Sequence, residues 1–332
     1  MNFAARSGKM RDGAAGTLDT DRSMNTALFT HPACIDHDTG LGHPECSDRL
    51  KVVLAALETE QFSLLDRREA PRADIDQIAR VHTRAYIDTV FATIPSSGQA
   101  GLDADTVVSA GSGEAALRAA GALVAAVDAV MAGEARNAFC AVRPPGHHAE
   151  SATAMGFCLF NNVAIGAAHA RAAHGLGRIA ILDFDVHHGN GTQEFCEHDA
   201  GLFYASTHQW PLYPGTGDAR ERGDFNNIVN APLRAMSGSP EFRHALTKTI
   251  LPAMDAFAPD LIMISAGFDG HSRDPLAALH LTDDDYAWAT RKLGELARKH
   301  CNSRIVSTLE GGYNFHALAS SCAVHIKELM AL

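Results

Sequence analysis

No run of apolar residues in this chain is long enough to span a bilayer, and no secretory hydrophobic segment stands at its start. The expectation is a cytoplasmic protein with no membrane partner. Cysteine is sparse and unpatterned. Cys34, Cys46, Cys140, Cys158, Cys196, Cys301 and Cys322 are odd in number and contain no Cys-x-x-Cys pair. They read as reduced, mostly buried thiols rather than a disulfide framework. Basic charge is also short, with 28 Lys and Arg against 39 Asp and Glu and a net charge of -11. That balance argues against a nucleic-acid groove. It is compatible with a basic peptide or polyamine ligand, which an acidic surface attracts. No internal repeat and no linker divides the chain, and a homo-oligomer stays open.

What is present describes an ordinary globular protein: 332 residues, 46% hydrophobic and 20% charged, with 18 histidines. Residues 1–23 are rich in Gly, Ala, Asp and Arg without periodicity and are expected to form a flexible tail. Met24 is a sensible alternative start, and 24–332 reads as one domain. Strands are expected at 25–30, 137–142, 179–182, 202–207, 261–265 and 304–309. Helices are expected from Ser47, which can cap the first, and at 86–91, 112–131, 161–174, 240–257, 283–300 and from 315. Residues 95–113 and 210–217 read as loops. Strands and helices alternate, which predicts a single α/β domain with a mainly parallel sheet flanked by helices.

The chain is organised around Ile181-Leu182-Asp183-Phe184-Asp185-Val186-His187-His188-Gly189-Asn190-Gly191. A buried strand ends here in acids, histidines and glycines. Alternation along a strand puts Asp183, Asp185 and His187 on one side and Phe184 and Val186 on the other. Three more apolar strands end in polar, glycine-rich loops, at His147, Asp269 and Tyr313. In open α/β sheets ligands bind outside the carboxyl ends of strands, so the four loops are expected to meet at one edge.

Together Asp185, His187 and Asp269 offer two carboxylates and one imidazole. Three protein ligands leave room for water and a substrate oxygen, which marks a catalytic zinc site; ferrous iron and cobalt suit the same donors. His147 and His148 follow Pro-Pro-Gly on a rigid loop. A histidine beside such an ion can take a proton from water and return it to a leaving amine. It needs an orienting acceptor, for which Asp183 suits His147 and Asn190 suits His148. Tyr313, after Gly311-Gly312, can stabilise an oxyanion. Phe157 and Tyr213 sit on loops and can wall a narrow channel. Each feature alone has a bland explanation, such as a surface turn or a core aromatic, and the assignment rests on their company.

These residues closely resemble the histone deacetylase family, including its bacterial deacetylase and acetylpolyamine amidohydrolase members. The resemblance is carried by Arg-Pro-Pro-Gly-His-His at 143–148, Gly-Phe-Cys at 156–158 and Leu-Asp-Phe-Asp-Val-His-His-Gly-Asn-Gly-Thr-Gln at 182–193. Pro-Gly-Thr-Gly at 214–217, Ser-Ala-Gly-Phe-Asp at 265–269 and Glu-Gly-Gly-Tyr at 310–313 follow in family order.

The resemblance implies the arginase-deacetylase fold and zinc-dependent hydrolysis of an acyl-lysine-like amide. It implies zinc on Asp185, His187 and Asp269, a general base at His147 or His148, and a carbonyl-polarising hydroxyl on Tyr313. It implies that the Gly156 carbonyl holds the substrate amide, with Phe157 and Tyr213 flanking the chain. A structural potassium ion is implied near Asp183, Asp185, His187, Ser206 and Thr207. Asn190 and Glu310 look class II-like. Leu276 matches the position where polyamine-selective relatives carry a glutamate, which favours acetyl-lysine-like substrates over acetylpolyamines. A non-catalytic acyl-lysine binder would lack a ligand, base or tyrosine, and none is missing.

Overall fold

A computed structural model describes Met1 and residues 25–332. The expected tail over 1–23 therefore lies, Met1 apart, outside the described residues. The strands are β1 (Thr26–Thr30), β2 (Asp66–Glu69), β3 (Gln99–Gly101), β4 (Val107–Ser109), β5 (Asn137–Cys140), β6 (Ile179–Asp183), β7 (Leu202–Gln209), β8 (Ile228–Leu233), β9 (Leu261–Ala266) and β10 (Ile305–Leu309). Eight of them form one sheet in the order β2-β1-β5-β10-β9-β6-β7-β8. Every pairing in it is parallel. A parallel sheet is stable only when both faces are covered. Accordingly every residue of β5, β6, β9 and β10 is buried.

Helices supply the cover: α1 (Ser47–Ala56), α2 (Ile75–Ile78), α3 (Arg84–Thr93), α4 (Ser112–Met131), α5 (Asn162–His174), α6 (Asn190–Glu197), α7 (Ser239–Ala245), α8 (Leu251–Phe257), α9 (Asp283–His300) and α10 (Phe315–Met330). Alanine-rich α4 buries its small side chains. At Gly121 a Cβ would lie 2.0 Å from the Pro71 carbonyl oxygen, so only glycine permits that approach. The start of α9 carries Asp283, Asp284 and Asp285 and its end Arg298, Lys299 and His300, as the helix dipole favours.

Several expectations change. Ser47 is the first residue of α1, and Cys46 precedes it without a side-chain cap. The expected loop over 95–113 holds the small antiparallel hairpin β3–β4. The glycine-rich stretch after His188 becomes α6 at Asn190. The helix expected over 240–257 is interrupted by a π-turn at Leu246–Ile250. Pro252 follows two residues on, and its missing N–H disturbs the regular bonding ladder.

The order of the four central strands positions the site. β5 and β6 are joined through α5, yet β10 and β9 lie between them in the sheet. The strand order therefore reverses at this point, where a crevice opens beyond the carboxyl ends. All four site loops leave from these adjacent strands.

Candidate active site

The loop after β6 turns Asp185 and His187 toward the end of β9, which delivers Asp269. His187 Nδ1 lies 3.0 Å from Asp185 Oδ1 and 3.2 Å from Asp269 Oδ2. Both carboxylates are completely buried. Their other oxygens are held by backbone: Val186 N–H donates to Asp269 Oδ1 at 2.8 Å, and Gly311 N–H donates to Asp185 Oδ2 at 2.8 Å. Asp269 Oδ2 accepts no hydrogen bond at all. A buried carboxylate oxygen without a partner is costly, and a cation resolves the cost. The O, N, O donor set therefore fits a divalent metal ion held by Asp185, His187 and Asp269.

The electrostatics agree. Burial and the charge of Asp185 push the Asp269 carboxyl up to about 7. Burial opposes ionisation of Asp185 too, but His147 and His187 outweigh it and hold that carboxyl well below its usual range. The glycines are dictated by the same crowding. A Cβ at Gly267 would lie 2.0 Å from Asp185 Oδ2, and one at Gly311 2.1 Å from Asp269 Oδ2.

The loop after β5 brings His147 and His148 alongside, their rings 4.0 Å apart between centroids. His147 Nδ1 is 2.9 Å from Asp183 Oδ2, and His148 Nδ1 is 2.8 Å from Asn190 Oδ1. The two imidazoles are driven apart in proton affinity. Burial lowers His147, but Asp185 and Asp183 overcome this and raise it to about 10. A divalent cation on Asp185 would weaken that pull. Burial, then the neighbouring His147 and His187, push His148 well below its usual value. Of the two, His148 is the one whose surroundings favour the unprotonated ring.

Above this floor lies a cavity of about 240 Å³, lined by Asp105, His148, Gly156, Phe157, His187, Leu212, Tyr213, Leu276 and Tyr313. It gathers every residue expected to touch substrate, Gly156, Phe157, Tyr213 and Leu276, together with Tyr313. Phe157 adopts a left-handed backbone with φ 67°, a strained conformation for a bulky residue. Its N–H donates to Thr106 Oγ1 at 3.2 Å, and its ring meets His43 edge-on at 4.8 Å. Tyr213 packs edge-on against His148 at 5.1 Å. Burial raises the Tyr313 phenol well above its usual value, against the pull of Arg49, so the phenol stays a hydrogen-bond donor.

The residues expected around potassium are less fully drawn together. Asp183 and Ser206 are register partners between β6 and β7. Ser206 Oγ lies 2.9 Å from His208 Nδ1, and Thr207 Oγ1 is buried without a partner. Asp183 Oδ1 already accepts the Asp185 N–H at 3.1 Å.

Sequence reasoning overlooked the support behind Tyr313. Arg49, on α1, donates through Nε to the Gly312 carbonyl at 2.6 Å and through Nη2 to the Glu310 carbonyl. Its guanidinium carbon sits 4.9 Å from the Tyr313 ring centroid. Glu45 pairs with Arg49 at 2.9 Å and with Arg143, all three fully buried. Burial raises the Glu45 carboxyl, but Arg143 and Arg49 bring it down to about 2. Glu45 and Arg49 are four residues apart, which in sequence looks like any exposed helical ion pair. Leu212 and Asp105 were likewise not assigned to the cavity.

A second His/Asp group, Asp128, His169 and His174, lies between α4 and α5. It is closed by hydrogen bonds. Both His Nε2 atoms lie 2.7 Å from Asp128 Oδ1, and Arg80 Nη1 lies 3.0 Å from His169 Nδ1. Arginine only donates, so His169 Nδ1 accepts and its Nε2 carries the proton. That leaves no lone pair on Nε2 for a metal.

A reversed parallel sheet whose carboxyl-end loops enclose a buried aspartate–histidine–aspartate cluster defines the arginase-deacetylase fold. The sequence profile of the histone deacetylase domain matches residues 43–329, and the chain belongs to that family of hydrolases. It is 37% identical over 323 residues to histone deacetylase 14, chloroplastic, of Arabidopsis thaliana, covering 91% of this chain and 76% of the relative. It is 37% identical over 331 residues to the histone deacetylase-like amidohydrolase of Pseudomonas aeruginosa, covering 92% and 86%. The crystal structure of the HDA15 HD domain superposes with a TM-score of 0.88 at 35% identity, covering 93% of this chain and 88% of that one. Among the described residues, no helix is long and apolar enough to cross a membrane.

Proposed function

We propose that the protein is a zinc-dependent amidohydrolase that removes acetyl groups from lysine-like amines. The observation that carries this reading is the partnerless Asp269 oxygen, facing His187 beneath a narrow, aromatic-walled cavity. A slot of that kind accepts a linear alkyl chain bearing an amide at its tip. A bound zinc ion supplies positive charge that polarises the amide carbonyl and the attacking water.

The chain's own residues do the rest. His148 lines the cavity and is neutral, so it takes the proton from water and returns it to the departing amine. Asn190 holds its ring. His147, tied to Asp183, adds positive charge beside the reacting centre. Tyr313 donates its phenolic hydrogen to the carbonyl oxygen as negative charge develops there. The Gly156 carbonyl receives the substrate N–H, while Phe157 and Tyr213 flank the alkyl chain and exclude water. Asp183, Asp185, His187, Ser206 and Thr207 are the residues that would hold a potassium ion, which would stiffen the end of β6. The protein works in the cytoplasm.

One observation favours a second substrate class, acylated polyamines: Asp105 lines the same cavity, and an acidic residue at its wall attracts a distal ammonium. Leu276 supplies no such charge, which supports acetyl-lysine ahead of acetylpolyamine.

The test strips metal with a chelator, restores zinc and assays a broad panel including acetyl-lysine peptides and acetylputrescine. Zinc is expected to restore acetyl-lysine hydrolysis. Asp185→Ala and His187→Ala are expected to lose both activity and bound zinc. A zinc-loaded wild-type protein inert across the panel overturns the reading.

A further inference from the structure

Asn190 holds His148 only if its amide faces the right way, and the structure shows what decides this. Asn190 Nδ2 donates to Glu150 Oε1 at 2.7 Å, while Asn190 Oδ1 faces His148 Nδ1 at 2.8 Å. A carboxylate can only accept, so Glu150 selects the NH₂ end and turns the oxygen toward the histidine. His148 must then carry its proton on Nδ1 and keep the Nε2 lone pair free. The reversed amide would set its oxygen against the Glu150 carboxylate. It would also donate to Nδ1 and move the histidine's proton to Nε2.

Two weaker contacts share the same NH₂ group, the His148 carbonyl at 3.3 Å and Met155 Sδ at 3.3 Å. Glu150 itself is delivered by a clamped turn. Its N–H donates to the Thr153 carbonyl at 3.0 Å, and its carbonyl lies 2.9 Å from His82 Nδ1. His82 Nε2 accepts the Asn161 N–H at 2.8 Å, so its Nδ1 is the donor to Glu150. The next residue, Ser151, is fastened to Glu194 through both N–H and Oγ, at 2.7 and 2.8 Å.

We propose that Glu150 is a positioning residue that fixes the amide of Asn190 and, through it, the Nδ1–H tautomer of His148. The inference rests on the reading of His148 as the proton carrier. It has a corollary: positions 150 and 190 tolerate one carboxylate between them. An acid at 190 needs no orienting, because its oxygens are equivalent, but it would face Glu150 at hydrogen-bond distance.

The experiment measures kcat and KM for zinc-loaded Glu150→Ala and Glu150→Gln, each in the wild-type and Asn190→Asp backgrounds. Imidazole ¹⁵N shifts of His148 are recorded in parallel and need no substrate. Glu150→Ala is expected to lower kcat roughly tenfold with little change in KM, as loss of one charge-assisted hydrogen bond allows. Glu150→Gln keeps an acceptor and is expected to restore most of it. In the Asn190→Asp background the sign reverses: Glu150→Gln raises kcat, because its amide donates to the new acid. The ¹⁵N shifts are expected to show Nδ1–H in the wild type and a gain of Nε2–H in Glu150→Ala. Equal losses in Ala and Gln, no reversal with Asn190→Asp, or an unchanged tautomer overturns the proposal. A wild type that hydrolyses nothing while the tautomer still follows Glu150 overturns the deacetylase reading and leaves the positioning role standing.

Discussion

Asp274 holds the loop of Tyr313 by its backbone: its Oδ2 accepts the N–H of Tyr313 at 2.7 Å and of Asn314 at 3.2 Å. Its Oδ1 accepts the N–H of Leu276 at 3.0 Å. One carboxylate thus ties the tyrosine to the opposite lip of the cavity. Asp274→Ala leaves these amides without their acceptor and frees the turn after Gly312. With the phenol in its proposed role on developing charge, kcat on an acetyl-lysine peptide is expected to fall about tenfold or more, with a smaller change in KM. Asp274→Asn keeps one acceptor oxygen and is expected to fall between. A kcat within twofold of wild type in Asp274→Ala counts against the anchoring role.

Gly311 faces the carboxylates of both Asp185 and Asp269, and the space for a side chain is already taken. A Cβ there would lie 2.1 Å from Asp269 Oδ2 and 2.5 Å from Asp185 Oδ2. Gly311→Ala is therefore expected to push the carboxylates apart while β10 stays paired. Metal analysis and circular dichroism read the two effects separately. The expected result is lost zinc and lost activity with native secondary structure. Full zinc content in a folded Gly311→Ala protein would show that the carboxylates have room to move.

The central strands were legible in the sequence because their apolar runs are unbroken, and the site was legible because each run ends in a polar motif. Apart from the β3–β4 hairpin, the strands that sequence reading misses are the two edges of the eight-stranded sheet. β2 is Asp-Arg-Arg-Glu and β8 contains Pro232. Charge and proline guard an edge against further pairing, and they erase the hydrophobic signal for the same reason. Ligand spacing within Asp185-x-His187 is local and readable. The Glu45–Arg49–Arg143 cluster joins residues that only the folded sheet brings together, so its burial leaves no mark in the sequence. Phe157 and Tyr213 were readable as walls of a channel, and both line the cavity, whereas Leu212 and Asp105 beside them carry no such signal.

Leu276 stands at the cavity with 38% of its surface exposed. A glutamate there joins Asp105 in facing whatever enters. Leu276→Glu is expected to raise the ratio of kcat/KM for acetylputrescine over an acetyl-lysine peptide up to about fivefold, since one added ion pair in a partly exposed site gives at most about 1 kcal/mol. Raising the salt concentration should reduce the gain, because the new attraction is partly screened. An unchanged ratio would move the control of substrate choice to other residues of the rim.

His325 makes the stability of the fold pH-dependent in a defined direction. It is completely buried on α10, with Nδ1 2.6 Å from Thr290 Oγ1 and Nε2 2.9 Å from Ser307 Oγ. Its ring packs edge-on against Phe139, Phe184 and Phe268. Burial in this apolar setting lowers its pKa from 6.5 to about 3. A lowered folded-state value means that below pH 6.5 the unfolded chain binds a proton that the native protein refuses. The contribution is thus intact above pH 6.5 and declines as the pH falls toward 3. Over that window one such imidazole costs about 1.4 kcal/mol of stability per pH unit. His325→Gln, which can still bond both hydroxyls but does not titrate, is expected to be less stable than wild type at pH 7.5. The gap should narrow by about one proton's worth of slope on acidification. Denaturant unfolding from pH 7.5 to 4.5 measures it, and parallel stability curves for the two proteins would show that His325 is not kept neutral by the fold.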